Sequence, residues 1–144
     1  MYDNILVPTD GSDGTARVVE HALHIARDND ATLHVLHVID TSTSPLDLHS
    51  RSVYDALEAA GRASVIEIRD RALEAGVHTV TEVREGTPFR EILDYAGAND
   101  VDLIVIGTHG RTGLRRTLLG SVTERVVRLS EIPVLTVRTA PPRT

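Results

Sequence analysis

The 144-residue chain predicts one α/β domain, residues 1–144, in which parallel strands form a doubly wound sheet with helices on both faces. Three observations carry this. Short apolar runs alternate with stretches of helical period, giving β-α-β-α-β-α-β-α-β along the chain. The runs are apolar on successive residues, as in Leu103-Ile104-Val105-Ile106, which suits strands buried on both faces. Hydrophobic residues make up 41%, enough for one real core, and with aromatics at 3% that core must be built of Val, Leu, Ile and Ala. No internal repeat or second domain is visible.

Asn4–Pro8 reads as the first strand, followed by a turn of small polar residues, Thr9–Asp13. Ser12 or Asp13 is placed to cap a helix whose apolar face is Ala16, Val19, Leu23 and Ala26, ending at Asp28-Asn29-Asp30. Thr32–Ile39 is the second strand, and Asp40–Pro45 a loop rich in Ser, Thr and Pro. From about Leu46 to Ala75 the period is helical, with Tyr54, Leu57, Gly61, Val65, Ile68, Ala72 and Ala75 on one stripe and Gly76 as terminator. Val77–Arg84 alternates, as a strand with one face less buried does. Gly86-Thr87-Pro88 supplies a turn, a cap and a proline at the first helical position, before Phe89, Ile92, Leu93 and Ala96. The fourth strand ends at Ile106. A last helix places Val122, Val126 and Leu129 on one side, and Pro133–Arg138 is the last strand.

The stretch with the most chemical information is Val101–Arg128. Its buried strand turns abruptly into Gly107-x2-Gly110-x9-Gly120-Ser121, followed at once by a helical pattern. A strand, a glycine loop and a helix start form an arrangement that binds phosphate. Glycine lets the backbone come close to a ligand, and the first-turn amides of a helix point outward with the dipole favouring an anion. Arg111, Arg115 and Arg116 put guanidinium groups nearby, which suit phosphate oxygens. Singly, each part has a plainer explanation: Ser121-Val122-Thr123-Glu124 is a capping box, and Gly107 can simply end a strand. Jointly they are hard to explain as turns. Two familiar phosphate motifs do not apply. The P-loop needs a lysine, and all 15 basic residues here are arginine. The dinucleotide fingerprint should open the first strand-to-helix turn, where these glycines do not lie.

The glycine signature, with Ile5-Leu6-Val7-Pro8-Thr9-Asp10-Gly11-Ser12 and Leu36-His37-Val38-Ile39-Asp40, resembles the universal stress protein family in its ATP-binding branch. The resemblance spans essentially the whole chain. It implies five parallel strands in the order 3-2-1-4-5, with a ligand cleft between the ends of strands one and four. It implies ATP, or ADP or AMP, as ligand, with Mg2+ or Mn2+ on the phosphates. Pro8, Thr9 and Val38 match positions that line adenine and ribose, and Ile106 adds apolar lining. Asp10 matches an aspartate beside the nucleotide, and Gly107, His109, Gly110, Arg111, Gly120, Ser121, Val122 and Thr123 fall on the phosphate loop. The resemblance also implies a homodimer paired through the edge strand Pro133–Arg138.

Several residues keep two explanations. Asp10 is a turn residue or a contact to nucleotide and its ion. His109 is a loop residue touching phosphate or water, or a general base. His34 and His37 lie three apart on a strand, hence on opposite faces, and are not a zinc pair; His21 and His24 are surface residues. No catalytic or metal-ligating residue is assigned. The function expected is a regulatory or stress-survival factor. The alternatives are a slow ATPase or adenylate-transferring enzyme, against which the absence of SGGxDS or HxGH motifs counts, and a nucleotide-free interaction dimer.

A formal net charge of −6 supplies no basic footprint for nucleic acid. The absence of cysteine excludes disulfides and thiolate chemistry. No apolar run approaches the roughly 18 residues of a membrane span, and MYDNILVP lacks a signal-peptide pattern, so the expected compartment is the cytoplasm.

Overall fold

The computed structural model describes residues 1–42, 51–109 and 119–139. In chain order the elements are β1 (Asn4–Thr9), α1 (Thr15–Asn29), β2 (Thr32–Asp40), α2 (Arg51–Glu74), β3 (Thr79–Gly86), α3 (Pro88–Ala98), β4 (Leu103–Gly107), α4 (Ser121–Leu129) and β5 (Val134–Val137). The strands form one five-stranded sheet in the order β3-β2-β1-β4-β5, parallel at every pairing. Fold class and strand order are as expected. The part of the second helix expected before Arg51 lies outside the described residues.

Alternation along the strands divides the interior in two, because successive strand side chains point to opposite faces. Ile5, Val7, Leu33, Val35, Leu103 and Val105 pack under α1 and α2, against Val18, Val19, Ala22, Val65, Ile68 and Ala72. Leu6, Leu36, Ile104 and Ile106 pack under α3 and α4, against Ile92, Tyr95, Ala96 and Val126. Each fully buried aliphatic side chain contributes about 1.5–3 kcal/mol, so the two layers together hold the sheet in register. No described helix is long and apolar enough to cross a membrane.

The helix starts differ from expectation. Gly14, not Ser12 or Asp13, is the N-cap of α1, and Ala16 is exposed while Val18 and Ala22 are buried. Gly120 is the N-cap of α4, with no side-chain cap, so Ser121 occupies the first helical position and makes no capping box. Leu129 is half exposed, and Thr123 takes the buried place beside Val126. In both helices the first turn is bonded back to the strand before it, Thr15 Oγ1 meeting Thr9 Oγ1 and Thr123 Oγ1–H donating to the Gly107 carbonyl. On α2 the stripe holds from Gly61 to Ala72, while Leu57 stays exposed.

The two strand histidines do face opposite ways. His34 is buried beneath α3, with Nδ1 2.7 Å from the Tyr95 hydroxyl and Nε2 3.0 Å from Asn4 Oδ1. His37 lies under α2, against Gly61, and its Nδ1–H donates to the Thr9 carbonyl at 2.9 Å.

Candidate functional site: the crevice between β1 and β4

The site begins as a parting of two strands. β1 pairs with β2 along its whole length, from Asn4↔Thr32 to Thr9↔His37. With β4 it pairs only at Ile5↔Leu103 and Leu6↔Ile104. Beyond those pairs the chain leaves β1 for α1 on one face and leaves β4 for α4 on the other. Opposed crossovers of this kind open a crevice at the carboxyl ends of the strands.

The floor of that crevice on the α3/α4 side follows from strand periodicity. Pro8, Val38 and Ile106 each lie two residues beyond a core residue, Leu6, Leu36 and Ile104, and so share its face. Ile106 is buried, and Pro8 and Val38 are half-buried. With Val122 of α4, which packs on the same core, they make an apolar shelf of the kind a planar base or sugar can cover. Thr9 is the odd residue between them, and its hydroxyl points the other way, accepting from Gly11 N–H at 3.1 Å and meeting Thr15 Oγ1 at 3.2 Å. What Thr9 can present to the shelf is therefore main chain. Asp10 Oδ1 accepts from Ser12 N–H at 2.9 Å, an Asx turn that carries the chain into α1 with Gly11 at φ 79°. The turn role of Asp10 is thus observed.

The wall of the crevice is the start of α4. Two short bonds tie it directly to the end of β4: Thr123 Oγ1–H donates to the Gly107 carbonyl at 2.6 Å, and Gly120 N–H donates to the Thr108 carbonyl at 2.6 Å. The hydroxyl of Thr123 is committed to this bond. The first-turn amides of Ser121, Val122 and Thr123 have no acceptor within their own helix, and the N-cap residue, Gly120, brings no side chain to cap them. They are held beside Gly107–His109, where an anion would meet both the amides and the positive end of the helix dipole. Gly110 and Arg111, with Arg115 and Arg116, lie outside the described residues.

The glycines at this site differ in role. A β-carbon on Gly107 would lie 2.6 Å from Thr139 Cγ2 and 3.3 Å from Val18 Cγ2, so its bareness makes room for Thr139. Gly120 has φ −66°, which any residue adopts, so only close approach of a ligand would demand glycine there. His109 is half-buried with Nδ1 3.1 Å from Thr108 Oγ1, and its main chain is bound to Thr139. Sequence reasoning passed over Thr108 and Thr139, which carry no motif; a threonine just past an edge strand reads as tail until the fold lays it across the loop. Among the described residues no group of three or more His, Cys, Asp or Glu could hold a metal ion. A divalent ion at this crevice would have to take most of its oxygens from the phosphates it accompanies.

The Universal stress protein family model matches residues 1–138. Universal stress protein MJ0531 of Methanocaldococcus jannaschii is 39% identical over 141 residues, covering 96% of this chain and 83% of its own length. Among solved structures, the hypothetical protein MJ0577 of the same organism, solved for a structure-based assignment of biochemical function, superposes with a TM-score of 0.91 at 30% identity and covers 99% of each chain. A universal stress protein in complex with cAMP superposes with a TM-score of 0.76 at 31% identity, covering 96% of this chain and 99% of its own.

Proposed function

Because this chain belongs to the universal stress protein family, we propose that it binds an adenine nucleotide, ATP foremost, in the crevice between β1 and β4 and acts as a regulatory or stress-survival factor. The observation that carries this reading is the start of α4, capped by a glycine and tied at 2.6 Å to the carboxyl end of β4, the strand that parts from β1 after two pairs. Phosphates take the amides of Ser121, Val122 and Thr123 and the arginines of the glycine loop, Arg111 first. The base and ribose lie on Pro8, Val38 and Ile106. Asp10 reaches Mg2+ or Mn2+ held on the phosphates. That a relative of the same fold at 31% identity was solved with cAMP supports an adenine nucleotide as the ligand class. Pairing of two copies through β5 and its flanks, Pro133–Arg138, belongs to the same reading, as does residence in the cytoplasm.

The test is titration of the purified protein with ATP, ADP and AMP, in magnesium and in EDTA, alongside Gly120→Val. The expected result is saturable ATP binding by the natural chain and its loss in Gly120→Val, with the circular dichroism of the two alike. The φ of Gly120 suits valine, so the loss would come from a side chain in the ligand's path. A natural chain that binds none of the three nucleotides sinks the reading. Release of phosphate within minutes would instead make the protein an enzyme.

A further inference from the structure

Thr139 lies two residues past the end of β5, and its side chain is seated between two glycines on different elements. A β-carbon on Gly14, the cap of α1, would lie 2.6 Å from Thr139 Cβ; one on Gly107, at the end of β4, would lie 2.6 Å from Thr139 Cγ2. Both places are kept bare, so the threonine sits closer to two backbones than any side chain there would permit. From that seat it bonds to the residues that lead into the glycine loop. Its hydroxyl donates to the His109 carbonyl at 3.1 Å and accepts from His109 N–H at 3.3 Å. Its own N–H donates to Thr108 Oγ1 at 3.3 Å, and Thr108 N–H donates to the Val137 carbonyl at 2.9 Å. On the other side, the Thr108 carbonyl accepts from Gly120 N–H and the Gly107 carbonyl from Thr123 Oγ1. Gly107–His109 is therefore gripped from both sides: by the start of α4 and by Thr139, which lies past β5 and outside the glycine loop.

We propose that Thr139 is a positioning residue for nucleotide binding, its hydroxyl fixing the path of Thr108–His109 as the chain leaves β4 for the glycine loop. The proposal rests on the nucleotide-binding reading above. The physical argument is preorganisation. A loop that must be ordered before it meets phosphate loses affinity to that ordering. Two hydrogen bonds from one hydroxyl, to the carbonyl and the amide of the same residue, remove the rotational freedom of His109's main chain at little cost, because the threonine is already held by its steric seat. A methyl group in the same place would fill the seat without directing the loop.

The test compares the natural chain with Thr139→Val, Thr139→Ser and Gly14→Ala, by ATP titration and by amide hydrogen exchange at Thr108 and His109 without nucleotide. Valine keeps the shape and loses the hydroxyl. It should weaken ATP binding about tenfold, the loss expected for two modest hydrogen bonds, and speed exchange at His109. Serine keeps the hydroxyl and should restore both measurements to those of the natural chain. Gly14 has an ordinary φ of −64°, so alanine there strains no backbone and acts by displacing Thr139; it should follow valine in both measurements. Valine like the natural chain with serine impaired would make Thr139 a steric plug and overturn the proposal. So would natural affinity and exchange in all three variants. A natural chain that fails to bind ATP, while valine still speeds exchange at His109, also overturns it, and shows that the clamp exists but the nucleotide reading has failed.

Discussion

Burial of His34 places a titratable ring inside the core under α3. The ring meets Tyr95 edge-on with a centroid separation of 5.6 Å, the Arg84 guanidinium lies over the Tyr95 ring at 5.1 Å, and Glu82 pairs with Arg84. Burial, and then repulsion from His78, holds the His34 pKa below the ordinary histidine value. The unfolded chain therefore takes up the proton more readily than the folded one. The stability contributed by neutral His34 is complete above about pH 6.5 and is lost as pH falls through the lower folded value. His34→Gln, neutral and able to bond both partners, should flatten the fall in melting temperature between pH 7 and pH 5; equal slopes in both proteins would contradict this. Asp10 offers a different test at the same scale. Asparagine preserves the Asx turn to Ser12, so Asp10→Asn isolates the charge. If the carboxylate reaches a phosphate-bound ion, the variant should bind ATP more weakly in magnesium and no more weakly in EDTA, where a carboxylate near phosphate only repels. Equal loss in both buffers would point to a direct hydrogen bond to the nucleoside, and no change in either would leave Asp10 the turn role alone.

At the scale of elements, the approach of α2 to the sheet depends on Gly61. A β-carbon there would lie 2.5 Å from His37 Cδ2. Alanine would gain about 1 kcal/mol in helix propensity over glycine, while overpacking costs about 1–3 kcal/mol. The steric cost should win, since His37 cannot swing aside without losing its bond to Thr9. Gly61→Ala is thus expected to lower the denaturant midpoint, by about 1 kcal/mol in stability on the same balance; a variant more stable than the natural chain would show that the helix lifts freely. The stripe of α2 was legible from its three- and four-residue spacing, but nothing in that spacing told which member meets a histidine. Tyr95 was passed over for a related reason. It stands between Asp94 and Ala96 on α3 with no local sign of a partner, and its hydroxyl is satisfied in the core by His34, 61 positions away.

For the whole molecule, β5 and β3 are the edges of the sheet. The Pro133 carbonyl accepts from Ile104 N–H at 3.0 Å and the Val137 carbonyl from Thr108 N–H at 2.9 Å. Main-chain groups of Pro133, Leu135 and Val137 therefore face β4, and those of Val134 and Thr136 face outward, where a second copy could add. Charges at Val134 or Leu135 would strike the two cores on which these residues pack. Thr136 is exposed, and Thr136→Pro removes one outward donor while leaving the ladder to β4 intact. Sedimentation should show a dimer for the natural chain and a monomer for this variant; a natural chain that sediments as a monomer at micromolar concentration would refute pairing through β5.

The sequence by itself determined the class and the order of elements, because apolar runs, helical periods and glycine or proline joints are local and follow from chain geometry. It also located the glycine stretch after β4, whose spacing is local too. Strand order came with the family resemblance, since no local pattern says which strands lie side by side. Only the tertiary structure decided that β1 and β4 part after two pairs, that Gly120 rather than Ser121 caps α4, and that Gly107 is bare for the sake of Thr139. Each of these depends on how separate elements meet once two cores pack on one sheet, and no periodicity within a single element encodes it.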